Sequence, residues 1–204
     1  QNIQGLRGIA VLLVVFSHML PIEGKYAQFD YILPQLFLMG VSGVDLFFLI
    51  SGFVMIAVTR NAFQTNKDTQ KFLYHRITRI YPLYWFYSSL LLCVYLFQPH
   101  LINSSQGNQV NIVASFLLLP QDLLPLVNVG WTLIHEMYFY LVFTLLLFLP
   151  KKYLLTGLIG WGCLVSIGSI NLLWADNQFA RIYFHPLTLE FIIGCMIAML
   201  YFNY

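Results

Sequence analysis

Charge is what this sequence has least of. Asp, Glu, Lys and Arg make up 9% of its 204 residues, and the net charge is +2. So small a basic excess argues against a nucleic-acid partner held through its phosphates. Cysteine is scarce as well. Cys93, Cys163 and Cys195 stand in apolar runs, with neither zinc-site spacing nor the pattern of a secreted disulfide scaffold. Buried packing is expected for them, and no metal site. The chain has no internal repeat, no low-complexity tail and no stretch polar enough for a second, soluble domain.

What it has is apolar surface. Hydrophobic residues make up 59% of the chain, and mean hydropathy is +0.75. A soluble core of this size cannot hide that much apolar surface, and lipid is the simplest solvent for it. The reading is an all-α, polytopic transmembrane helical bundle, one integral-membrane domain over 1–204. Spans are expected near 3–20, 36–58, 80–97, 131–149, 153–173 and 184–202. Pro21 and Pro150 are expected to close two of them. The first segment is followed by charged residues rather than a cleavage site, so it reads as a retained span. Residues 111–127 are apolar but short, and Pro120 and Pro125 interrupt them. Spanning, re-entrant and interfacial placements all stay open, so the count is six or seven. Asn61 to Gln70 reads as a solvated loop.

Basic residues orient the bundle. Five of the ten Lys and Arg fall between the second and third spans: Arg60, Lys67, Lys71, Arg76 and Arg79. That loop is expected in the cytoplasm, with the N-terminus. If 111–127 does not cross, Arg7, these five, Lys151 and Lys152 lie inside, against Lys25 and Arg181 outside. If it crosses, the balance becomes seven against three. The rule prefers six crossings by a thin margin. The N-terminus is therefore expected to be cytoplasmic.

Against this background the polar residues within spans stand out. An ionisable group at the centre of a membrane helix costs about 2.5–3.5 kcal/mol on insertion scales. Arg7 and His18 are eleven apart, so they return to nearly one helix face, separated by about 16 Å of rise. A snorkelling Arg and a His satisfied by a backbone carbonyl are the plain alternative. Arg76 and Arg79 share a face and could clamp an anion bidentately, although ordinary topology also explains them. Asp45 lies between Gly43 and Ser51-Gly52, small residues that let helices approach closely. It is expected to pair with an Arg from another span, Arg7 being a candidate. Glu136 follows Trp131 and is expected at the depth of His18. His135 points about 100° away from Glu136 and reads as packing. Glu190 could sit at the interface or close a polar pocket. His100 and His185 read as loop residues. The aromatic cluster Tyr81, Tyr84, Trp85 and Tyr87 reads as an interfacial belt.

In order and spacing these motifs resemble the acyltransferase-3 family of integral-membrane O-acyltransferases. The resemblance rests on Arg7 and His18, Gly43-Val-Asp-Leu-Phe-Phe-Leu-Ile-Ser-Gly-Phe53, and Arg76-Ile-Thr-Arg-Ile-Tyr-Pro82. It continues through Gly130-Trp-Thr-Leu-Ile-His-Glu-Met-Tyr-Phe-Tyr140 and Leu189-Glu-Phe-Ile-Ile-Gly194. The wording around Trp131 is similar to the exopolysaccharide-acetylating, ExoZ-like branch, where an aromatic residue would be expected at His135. The resemblance implies transfer of an acyl group, commonly acetyl from acetyl-CoA, to a hydroxyl of a saccharide or lipid-linked saccharide, at or across a bacterial-type inner membrane. No bound cofactor is implied, and acetyl-CoA is a substrate. It maps catalysis onto His18 and Glu136, and donor binding onto Arg7, Arg76 and Arg79. Asp45, Ser51, Trp131 and Glu190 are left as structural or polar-cavity residues. Such enzymes have about ten spans, so the final spans of that fold are expected to be missing here.

The mechanism this implies starts with CoA phosphates held near the cytoplasmic face. The pantetheine arm then runs toward His18, which accepts the proton of the attacking hydroxyl. Glu136 would orient His18, stabilise its cation or hold the sugar; a covalent acyl-His ranks second. It requires the first, third and Trp131-led helices to share one tunnel. Two other classes fit the same polar residues: a proton-coupled transporter, and a non-catalytic subunit working with polysaccharide-assembly proteins.

Overall fold

The computed structural model describes residues 2–26, 35–60, 62–170 and 177–203. Every regular element among them is helical. The α-helices are α1 (Asn2–Tyr26), α2 (Ser42–Thr59), α3 (Asn66–Phe97), α4 (Ile112–Leu117), α5 (Gly130–Leu147), α6 (Leu154–Ile170), α7 (Gln178–Tyr183) and α8 (Leu187–Tyr201). Short 3-10 turns join several of them. Among the described residues, six segments are long and apolar enough to cross a membrane: Ile3–Pro21, Leu38–Thr59, Asn66–Phe97, Gly130–Leu147, Lys151–Ile170 and Gln178–Tyr201. These are the six expected spans. The end of the fifth, residues 171–173, lies outside the described residues.

The chain forms two compact units, 1–58 with 189–204, and 59–188. In the first, small residues set the packing. A Cβ on Gly52 would stand 2.0 Å from the Phe191 carbonyl oxygen, and one on Gly194 would stand 1.9 Å from that of Leu49. The backbones of α2 and α8 therefore touch, and Cys195 Sγ lies 3.3 Å from the Gly52 carbonyl. The Ser51-Gly52 pair thus works as its residue types suggest, because lipid offers helices no hydrophobic drive to associate and close packing must replace it. Phe53 adds ring contacts to Tyr201 and Phe202 at the end of the same seam.

In the second unit, α3 runs antiparallel to α5. Tyr84 packs on Gly130, Phe72 meets Phe143 with ring centroids 5.8 Å apart, and the Gln64 N–H donates to the Leu147 carbonyl. Residues 111–127 form no crossing helix. They make the six-residue α4, and Leu118 ends it in the left-handed conformation. The rest is irregular backbone, which is tolerated in such a protein only where its polar groups find partners. They do. The Tyr84, Trp85 and Tyr81 side chains donate to the carbonyls of Ser115, Phe116 and Leu117 at 2.8, 2.9 and 2.9 Å. Asn103 donates to the Leu124 carbonyl, the Leu124 N–H donates to Gln106, and the Leu126 N–H donates to Ser115 Oγ.

Several sequence expectations need correction. Tyr81, Tyr84 and Trp85 are not a plain interfacial belt; their polar tips hold the α4 backbone. Pro21 does not close the first helix but lies inside α1. Proline deletes one backbone donor there, and the rest of the ladder continues. Pro150 does follow the end of α5. The loop expected over 61–70 is helical from Asn66 onward; Asn61 lies outside the described residues. Asp68 sits in the first turn of α3, where a negative charge favours the helix N-terminus. At 32 residues α3 is about 48 Å long, well beyond a hydrocarbon core of about 30 Å, so its polar first turns need not enter lipid. Of the cysteines only Cys195 is buried, whereas Cys93 and Cys163 are exposed. A thiol facing lipid needs no core to leave water.

Candidate active site

The second unit assembles the clearest polar cluster. Arg76 and Arg79 lie in the third and fourth turns of α3, not at its start. Arg76 is buried, and its guanidinium carbon lies 5.3 Å from the centre of the Phe72 ring and 5.7 Å from that of Tyr140. Both distances suit a cation over an aromatic face. Arg79 is exposed, and its charge acts on the Tyr140 hydroxyl together with that of Arg76. Glu136 is buried on α5 and accepts a hydrogen bond from Tyr140 one turn later. Neither Arg76 nor Arg79 is ion-paired among the described residues. Arg76 Nε is buried with no hydrogen-bond partner among the described residues. A buried cation with a donor to spare has the chemistry to take an anion, and guanidiniums suit the planar, bidentate recognition of phosphate.

The expected arginine pair and acid are thus joined through Tyr140, which the sequence reading did not single out. The spacing signal was available: Glu136 and Tyr140 are four apart, so they share a face of α5. His135 points elsewhere, as expected. It is 2% exposed, with its ring 5.8 Å from Trp131, 6.4 Å from Phe139 and 4.6 Å from His185. His185 is therefore a packing partner of α5 rather than a solvated loop residue. Its Nδ1 accepts the Leu187 N–H at the start of α8, which fixes the ring. His100 does lie in an exposed turn. Trp131, in the first turn of α5, completes this aromatic group.

The first unit carries the remaining candidates. Arg7 and His18 share the unbroken α1; Arg7 is half-buried and His18 is exposed. His18 Nδ1 lies 2.8 Å from the Val14 carbonyl. A carbonyl oxygen only accepts, so Nδ1 carries the hydrogen and the lone pair of the neutral ring resides on Nε2. The carbonyl contact weighed in the sequence as a plain structural role is thus also what would orient a base. Asp45 is exposed on α2, and Glu190 on α8 faces it closely enough for the two carboxyls to interact. Among the described residues, Glu190 Oε2 and the buried Ser51 Oγ have no hydrogen-bond partner.

An acyltransferase domain is the family model that matches the chain, over residues 1–204. The chain belongs to the acyltransferase-3 family of multi-pass membrane proteins. It is 31% identical to the exopolysaccharide production protein ExoZ of Rhizobium meliloti, over 79% of this chain and 51% of that protein. It is 25% identical to the peptidoglycan O-acetyltransferase OatA of Listeria monocytogenes, over 98% of this chain and 34% of that protein. The chain therefore spans about half or less of the length of these relatives. No solved structure matches it.

Proposed function

We propose that this chain carries the donor-binding and base-bearing part of a membrane O-acetyltransferase. It would take acetyl from cytoplasmic acetyl-CoA and place it on a hydroxyl of a cell-surface or exopolysaccharide sugar. The observation that carries the reading is a pair of guanidiniums with no ion pair among the described residues, set beside a carboxylate that a phenol holds. In this reading the N-terminus is cytoplasmic, in a bacterial-type inner membrane, as the excess of Lys and Arg between α2 and the apolar part of α3 favours. Arg76 and Arg79 bind the phosphates of CoA.

The chemistry asked of His18 is modest. The sugar hydroxyl attacks the thioester carbonyl as Nε2 takes its proton. The C–S bond then breaks, and the departing thiolate recovers the proton from the imidazolium. Glu136 accepts a hydrogen bond from the acceptor sugar. Transfer through an acyl-histidine ranks second. The names of ExoZ and OatA support a polysaccharide acceptor.

Membranes containing the chain, acetyl-CoA and a saccharide acceptor test this. Acetyl transfer that falls on His18→Ala supports the base, and full activity in that variant rejects it. CoA affinity unchanged in the Arg76→Ala, Arg79→Ala double variant rejects the clamp. Movement of the saccharide without acetylation would favour a carrier instead.

A further inference from the structure

Two guanidiniums and a carboxylate on facing helices ordinarily neutralise one another, because a buried unpaired charge is costly. The α3–α5 pair brings Arg76, Arg79 and Glu136 into one neighbourhood, yet neither arginine is ion-paired among the described residues. Tyr140 touches both kinds of charge. Its hydroxyl donates to Glu136 Oε1, while its ring stacks at 5.7 Å on the Arg76 guanidinium. A phenol satisfies a carboxylate without cancelling a positive charge. An arginine in the same role would use up the donors that an anionic ligand needs.

We propose that Tyr140 is a positioning residue that keeps the anion site open: it holds the Glu136 carboxylate away from Arg76 and Arg79, leaving both guanidiniums for a phosphate or pyrophosphate group. The proposal rests on the donor-binding role given to these arginines above. Phenylalanine at this position keeps the ring over Arg76 but removes the donor. Glu136 then turns to the guanidiniums, and the site closes on itself. If the closed arrangement holds nine-tenths of the population, apparent affinity for the ligand falls about tenfold, because only the open fraction binds.

The test is a double-mutant cycle on the full chain in nanodiscs, with CoA binding read by calorimetry. Tyr140→Phe is expected to weaken CoA binding about tenfold. In a Glu136→Gln background the same change is expected to cost less than about twofold, since a neutral amide cannot close the site. Equal weakening in both backgrounds overturns the proposal, because Tyr140 would then act on the ligand or the fold directly. No weakening in Tyr140→Phe alone overturns it too. If the unsubstituted protein does not bind CoA, the donor reading fails, and the same cycle with inorganic pyrophosphate still decides the role of Tyr140 by the same two patterns.

Discussion

Replacing Gly52 or Gly194 by alanine tests the packing of the first unit. The added Cβ would lie 2.0 Å from the Phe191 oxygen in one case and 1.9 Å from the Leu49 oxygen in the other. Ordinary contact begins at 3.4 Å, so α2 and α8 must separate by 1.4 or 1.5 Å along those directions. The obstacle is backbone, which cannot swing aside as a side chain would. Overpacking of this kind costs about 1–3 kcal/mol. For a chain of this length that lowers the melting midpoint by about 2–12 °C. Both substitutions press on one seam, so the double variant should lose less than the sum of the two. Gly160→Ala on α6 is the control. A Cβ there meets nothing within 4 Å, so only the gain in helix propensity, up to about 1 kcal/mol, remains. Thermal unfolding in one detergent reads all four variants. A Gly52→Ala protein that melts with the unsubstituted chain would show that the two backbones are not in contact.

Two further changes probe the second unit. Tyr84→Phe removes one donor to the buried Ser115 carbonyl of α4, which the Leu118 N–H also reaches, and should cost about 0.5–1.5 kcal/mol in thermal unfolding; an unchanged midpoint would show that the Leu118 N–H alone satisfies that carbonyl. Arg76→Lys keeps the charge but loses the planar fork stacked on Phe72 and Tyr140, so CoA affinity should fall by about tenfold in equilibrium binding. Equal affinity would show that only a point charge matters.

The spans were legible because a helix long enough to cross lipid is written as one apolar run, and all six expected runs are helices here. The close seam of α2 was legible for a similar local reason, since glycine beside serine allows little else. What stayed hidden depended on partners distant in sequence. The apolar stretch 111–127 looks much like a span until Tyr81, Tyr84 and Trp85, more than thirty residues earlier, are seen to satisfy its carbonyls. His185 looked like a loop residue because nothing local announces His135, fifty positions before it. The helical turns from Asn66 to Gln70 were misread because a polar helix projecting beyond lipid and a polar loop have the same composition. Arg76, Arg79 and Glu136 were picked out by type and spacing. Tyr140 was not, although its four-residue distance from Glu136 was visible, because the surrounding aromatics hid it.

The central claim is that His18 serves acetyl transfer to a surface saccharide. Mass spectrometry of surface glycans from cells with the intact gene, without it, and with His18→Ala tests this most directly. The account predicts an added acetyl mass only with the intact gene, with loss in His18→Ala matching a rate lower by about 10²–10⁴-fold. Undiminished acetylation in the His18→Ala cells would contradict it.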